Sequence, residues 1–243
     1  MCTLSWCHAP GDSGYHLFFN RDERKTREAA DPPALSEVGG VPIITPRDGR
    51  SGGTWLLANA HGLSVALLNH YQADTAARRP ENPTSRGQLV LQFGACRDVA
   101  EFSALVPARQ RTGRYPPFLL FAIDPSGAVA LWRWDGEALV ALDLPEDCFL
   151  TTSSFRPADV LATREAERAK LGAEPAPEAL RALHSGHDLE RPESSIRMRR
   201  EDSQTVSLSE IAVRDNTIRF RYRPEAADDM EELPVVDTSL TRA

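Results

Sequence analysis

Cys2 stands directly behind the initiator methionine in Met1-Cys2-Thr3-Leu4-Ser5-Trp6-Cys7, and removal of Met1 would place a thiol and a free α-amine on one residue. An α-amine has a pKa of about 7.7–8.0, so near neutral pH a fraction is unprotonated and can take the thiol proton, directly or through a water. That pairing is a nucleophile with its own base, and it needs no histidine. Cysteine is also small enough to leave Met1 open to an aminopeptidase. A cysteine at position 2 arises by chance in many chains, so its meaning depends on what the rest of the sequence brings to it.

The elements that would position Cys2 are legible in outline. Residues 2–8 and 14–20 have strand character and flank the turn Ala9-Pro10-Gly11-Asp12-Ser13-Gly14, with His16-Leu17-Phe18-Phe19 as the hairpin partner. The hairpin returns Asn20-Arg21-Asp22-Glu23 to the side of Cys2, at the edge of a sheet, and residues 24–28 read as a solvated charged loop. Residues 29–53, rich in Pro and Gly, read as one long loop. A second hairpin is predicted from Gly52-Gly53-Thr54-Trp55-Leu56-Leu57-Ala58 and Leu63 to Asn69 around Asn59-Ala60-His61-Gly62. Asn69 ends that strand, either as a strand-end cap or as a donor aimed into a cleft.

Ser85-Arg86-Gly87-Gln88 has capping-box spacing and predicts a helix to about Cys96, followed by a short helix over 98–105. Strands are expected over 116–124, 127–134, 138–144 and 148–152, helices over 157–171 and 177–184, and strands near 195–200, 204–213 and 217–222. The alternation of Trp132 and Trp134 puts both on one strand face, as packing or cleft lining, while Cys2 and Cys7 fall on opposite faces. Strand blocks separated by helix blocks predict an α+β protein with helices outside two stacked antiparallel sheets. Residues 1–224 form one domain in this reading, and 225–243, with Glu231-Glu232, an acidic tail that is extended or loosely docked.

Composition excludes several classes. The 243 residues are 41% hydrophobic and 26% charged, as in an ordinary globular domain, and the net charge of −7 lacks the basic field of a nucleic-acid binder. Four cysteines in a chain this long make neither a disulfide scaffold nor a zinc-ligand pattern, so a reducing cytoplasm is expected. No signal peptide is recognisable, and no apolar run reaches the roughly 20 residues of a membrane helix, so membrane insertion is not expected.

Met-Cys at the start, Asn20-Arg21-Asp22-Glu23, Gly52-Gly53-Thr54-Trp55 and the strand ending at Asn69 together resemble the NRDE family, also called the transport-and-Golgi-organisation protein family. The order of parts is similar to that of the cysteine N-terminal-nucleophile hydrolases that cleave bile-salt and penicillin amides. The resemblance implies a four-layer αββα sandwich with Cys2 as nucleophile and its own amine as base. It further implies that Arg21 and Asp22 hold the nucleophile, with Glu23 as an alternative carboxylate because the acylases space the pair differently, and Asn20 in support. A guanidinium there would lower the thiol pKa, and a carboxylate would anchor the ammonium. Asn69 becomes the oxyanion-hole candidate. Where the acylases have an asparagine after a threonine, this chain reads Leu150-Thr151-Thr152-Ser153, so either Thr152 or Ser153 substitutes or the role is absent. Arg197, Arg199 and Arg200 compete for a late active-site arginine, with Arg197 put first.

The expected function is hydrolysis of a linear acyl amide, a small molecule, through a Cys2 thioester, with no cofactor and no metal. The alternative is a non-catalytic carrier of haem or an acyl lipid, since the family has been linked to haem movement and lipid homeostasis. His8, His16, His61 and His70 are then the possible axial ligands.

Overall fold

A computed structural model describes residues 2–8, 14–75, 77–226 and 233–243. Met1, the turn over 9–13 and the acids Glu231-Glu232 lie outside the described residues. The described residues form two antiparallel sheets. The first runs β10 (Phe149–Thr152), β1 (Cys2–His8), β2 (Gly14–Arg24), β11 (Ser203–Arg214), β12 (Thr217–Pro224) and β13 (Val236–Thr241). The second runs in chain order, β3 (Asp31–Val38), β4 (Val41–Arg47), β5 (Leu56–Asn59), β6 (Ser64–Asn69), β7 (Phe118–Ile123), β8 (Val129–Trp134) and β9 (Leu139–Leu142). Helices α1 (Arg86–Leu91) and α2 (Val99–Gln110) cover the second sheet, and α3 (Pro157–Ala169) and α4 (Pro177–Ser185) cover the first.

Three apolar clusters follow from the period-2 alternation of the strands. Leu4, Trp6, Leu17 and Phe19 of the first sheet meet Leu56, Ala66, Leu68 and Phe121 of the second, with Trp6 and Phe121 ring centroids 4.7 Å apart. The opposite face of the second sheet packs Leu57, Val65 and Leu120 on Phe93, Phe102 and Val106. The opposite face of the first packs Cys7 and Phe18 on Leu180. The result is the expected helix–sheet–sheet–helix order, an α+β sandwich. Cys2 and Cys7 face different clusters, and Trp132 and Trp134 both pack in the cluster beneath α1 and α2.

The structure departs from the sequence reading in five places. Residues 31–47 are a hairpin rather than a loop: Gly39 and Gly40 have φ of 58° and 83°, and Val38 pairs with Val41. Two consecutive positive φ values make the tight hairpin turn whose twist suits its flanking strands. Pro32 and Pro33 are tolerated because β3 is an edge strand, with the register shifting between Asp31 and Ala34. The capping box does not form. Ser85 makes no side-chain cap, α1 stops at Leu91, and Gln88 Nε2 instead donates to Ser51 O at 2.9 Å. Residues 195–200 are irregular apart from one bridge between Arg199 and Gln204. The segment read as a tail supplies β13, which pairs with β12 from Thr217↔Thr241 to Tyr222↔Val236. Finally, β1 is interior to its sheet, with β10 on one side and β2 on the other. No helix among the described residues is long and apolar enough to cross a membrane.

Candidate active site

Cys2 opens β1 and lies across the ladder from Arg21 on one side and Thr152 on the other. Its backbone N–H donates to Thr152 Oγ1 at 3.3 Å. Beyond the end of the strand, a cavity of about 430 Å³ is lined by Cys2, Arg21, Asp48, Trp55, Asn69 and Arg86, among others. A second hollow of about 540 Å³ shares Asp22 and Glu23 with the first and is bordered by Tyr71, Ser153 and Arg200.

Strand alternation splits the tetrapeptide into two pairs with different surroundings. Asn20 is fully buried on the helix side, where Nδ2 donates to His184 O at 2.9 Å and Ile196 O at 3.0 Å. Its Oδ1 is therefore the acceptor for His184 Nδ1–H at 2.9 Å, which leaves His184 Nε2 to accept Ser5 Oγ–H at 2.8 Å. Asp22 is buried nearby. Its Oδ2 accepts from Arg164 Nη2 at 3.2 Å and its Oδ1 from Thr205 Oγ1 at 2.6 Å. Arg164 also reaches Thr3 Oγ1 at 2.8 Å and Ser195 O at 2.7 Å, so one guanidinium ties α3 to β1, β2 and the irregular 194–196 segment.

Arg21 and Glu23 belong to the cleft side. Arg21 stacks over Trp55 at 4.2 Å and donates from Nη2 to Asp48 Oδ2 at 2.6 Å. Arg27 holds both Asp48 oxygens at 2.9 Å, while Glu23 stands 3.8 Å from Arg21 and 3.5 Å from Arg27. Burial works to raise the Asp48 pKa, but hydrogen bonds from Arg27 and Ser51 overcome it and bring the carboxyl down to about 2.

For Cys2 the balance runs the other way. Burial raises the thiol pKa and the Asp22 charge adds to it, against the backbone N–H of Asp22 and the Arg21 guanidinium, which favour the thiolate. Arg21 acts in the expected direction, yet its effect is small beside desolvation, which is the largest and wins. A thiol held protonated in this way needs a base beside it to become a nucleophile.

Asn69, at the end of β6, lines the Cys2 cavity and donates from Nδ2 to Tyr71 Oη at 2.8 Å. Of the two late-strand candidates, Thr152 is the one at Cys2, whereas Ser153 Oγ donates to Phe155 O at 2.6 Å. Among the described residues, none of the three late arginines lines the Cys2 cavity. Arg197 donates to Glu225 Oε2 at 3.0 and 2.6 Å and borders a small hollow with Arg199, and Arg200 stacks on Phe155 at 4.8 Å. The segment 195–200 that carries them bonds to the loop carbonyls of Gly186 and Pro192 on one side and meets the start of β11 at Arg199 and Arg200 on the other. None of His8, His16, His61 and His70 lines it either. His16, for example, lies 3.5 Å from Glu210 and 2.9 Å from Arg214.

Asp48, Arg86 and Arg164 are residues of the candidate site and its supports that the sequence reading passed over. Asp48 and Arg86 sat in segments read as loop and as helix cap. Arg164 had a usable signal, since Val160, Arg164 and Arg168 recur at helical spacing on one face and all three are buried.

The fold is shared with solved enzymes at low sequence identity. A variant of the conjugated bile acid hydrolase from Clostridium perfringens matches with a TM-score of 0.58 at 11% identity, covering 98% of this chain and 92% of that one. Penicillin V acylase from Agrobacterium tumefaciens matches with a TM-score of 0.55 at 12% identity, covering 92% and 83%. The Caenorhabditis elegans ortholog of N-acylethanolamine-hydrolyzing acid amidase matches with a TM-score of 0.57 at 12% identity, covering 87% and 92%. The fold is thus of the N-terminal-nucleophile hydrolase type. No curated protein matches the sequence at a significant level. The family model described as Transport and Golgi organisation 2 matches residues 1–154, and the chain belongs to that family.

Proposed function

We propose that the protein is an amidohydrolase of the N-terminal-nucleophile type, acting on a linear acyl amide through Cys2 once Met1 is removed. The observation that carries this reading is the Cys2 backbone nitrogen held 3.3 Å from Thr152 Oγ1 while Cys2 itself lines a cavity with Asn69. With Met1 gone, that nitrogen is the α-amine. It takes the thiol proton as Sγ attacks the amide carbonyl, and the carbonyl electron pair moves to oxygen. Asn69 Nδ2 donates to the resulting oxyanion, for which one such donor is worth on the order of 10²–10³ in rate. The ammonium then protonates the leaving amine as the C–N bond breaks, giving a Cys2 thioester. Water attacks the thioester, its proton passes to the α-amine, and the carboxylate product leaves as the thiol is restored.

Arg21 and Asp48 form a fixed wall beside the sulfur, and Asp22 with Arg164 anchors the strand end from behind. Intact-mass analysis before and after an electrophilic thiol probe tests the first requirement: loss of Met1 and a single adduct at Cys2. Turnover of a panel of acyl amides tests the second. Full retention of Met1, or a Cys2→Ala variant that hydrolyses the same amides as fast as the parent, would sink the reading.

A further inference from the structure

The charges around the Cys2 cavity do not match one another. Asp48 is engaged by both Arg21 and Arg27, Glu23 stands beside the same two guanidiniums, and Asp22 is engaged by Arg164 from the helix layer. The nearby Asp74 is occupied by Arg79 at 3.0 and 2.9 Å. Arg50 also borders the cavity, but it is exposed to water. Arg86 remains. It lines the cavity with Cys2, and its only hydrogen bond among the described residues runs from Nη1 to Pro117 O at 2.8 Å. No carboxylate among the described residues forms an ion pair with it. Burial lowers its pKa, while the nearby Tyr71, Asp74 and Cys2 act in the other direction.

This placement is built by the backbone. Thr54 N–H donates to Gly87 O at 3.1 Å, and a Cβ on Gly53 would lie 2.6 Å from the carbonyl carbon of Gly87. A Cβ on Gly87 would lie 2.8 Å from Thr54 N. The two glycines therefore let the chain before α1 press against the Gly-Gly-Thr-Trp segment, and Arg86, one residue before Gly87, is delivered to the cavity wall. Arg86 is half-buried, and a guanidinium without a counter-ion anchored in a cavity wall makes a receptor for an anion.

We propose that Arg86 reads an anionic oxygen on the ligand of the Cys2 cavity, and that the ligand is an acyl amide carrying a carboxylate. One unpaired guanidinium, with part of its fork committed to Pro117, suits a singly charged planar carboxylate. A doubly charged phosphate would call for a second unpaired cation held in the cavity wall. The proposal rests on the cavity being the amide site described above and adds the charge of the molecule that enters it.

A Cys2→Ala variant allows binding to be measured by calorimetry without turnover, using two matched pairs. An N-acylglycine against its glycinamide places the charge on the amine side, and the monoamide of a dicarboxylic acid against its methyl ester places it on the acyl side. In at least one pair the anion should bind on the order of tenfold to a hundredfold more tightly than its neutral partner. Arg86→Gln should erase that preference. Arg86→Lys, which keeps the charge but loses the fork, should reduce it severalfold and serves as the test if the glutamine variant does not fold. No preference in either pair, no binding of any anion, or a preference that survives both substitutions would overturn the proposal. Hydrolysis by the parent protein is scored separately. A charge preference without turnover removes the hydrolase reading alone, and turnover without a charge preference removes the Arg86 assignment alone.

Discussion

The backbone nitrogen of Cys2 and the hydroxyl of Thr152 meet at 3.3 Å across the β1–β10 ladder, in a buried setting. When that nitrogen is the α-amine, the contact fixes the direction of the base relative to the sulfur. Thr152→Val should lower the rate of Cys2 alkylation by a thiol electrophile, and kcat on any amide substrate, by about tenfold, the scale of one net hydrogen bond. Thr152→Ser should stay within a fewfold of the parent. KM should not move, because Thr152 acts on the nucleophile and not on the ligand.

Arg164 and Asp22 form an ion pair with both side chains fully buried. Arg164→Met removes the guanidinium from the buried Asp22 carboxylate and should cost about 3–5 kcal/mol in urea unfolding. Replacing both residues by apolar ones should cost less than the sum of the two single changes, since neither charge is then stranded. Equal single and double losses would show that packing of α3, rather than the pair, carries the stability.

His184 is buried as the neutral tautomer between Ser5 and Asn20, and desolvation followed by repulsion from Arg164 lowers its pKa to about 3. In the unfolded chain a histidine titrates near 6.5. The folded pKa lies below the unfolded one, so the unfolded state gains a proton that the folded state excludes. The contribution is complete above about pH 6.5 and is lost as the pH falls toward 3, on the order of 4–5 kcal/mol across that window. Unfolding free energy measured between pH 7 and 4 should show this slope, and His184→Gln should flatten it while lowering stability at pH 7.

Gly87 is pressed against the backbone at Thr54, where a Cβ would fall 2.8 Å from N and 2.9 Å from O. Backbone atoms on both sides cannot yield as a side chain can. Gly87→Ala should cost about 1–3 kcal/mol in thermal or urea unfolding. It should also change the fluorescence of Trp55, which stands in the same wall. Gly40→Ala is a useful contrast: its Cβ would meet nothing within 4 Å, so any loss there reports the φ of 83° alone.

Much of the architecture was readable because it is written in short-range patterns. The first hairpin, the second hairpin ending at Asn69, the 118–142 meander and the two late helices all carry alternation, turn residues or first-turn prolines within a few positions. The β3–β4 hairpin was missed although Gly39-Gly40 stood between two valines, because the prolines before it argued for a loop. Its edge position, which makes those prolines harmless, belongs to the assembled sheet. The strand expected at 195–200 failed for a related reason: its backbone bonds are divided between the loop after α4, the turn at 192 and the start of β11, so only the single bridge at Arg199 forms.

The sequence by itself determined that Cys2 would sit one hairpin away from Asn20-Arg21-Asp22-Glu23, because a hairpin register is a local property. The same alternation determined that the tetrapeptide would split between two faces. Tertiary structure alone decided which charges meet. Arg164 reaches Asp22 from 142 residues away, Arg21 gives its charge to Asp48, and Arg197 turns to Glu225. Ion pairing depends on distances between segments that only packing brings together. For that reason no reading of spacing along the chain could show that Arg86 would face the Cys2 cavity with no carboxylate paired to it among the described residues.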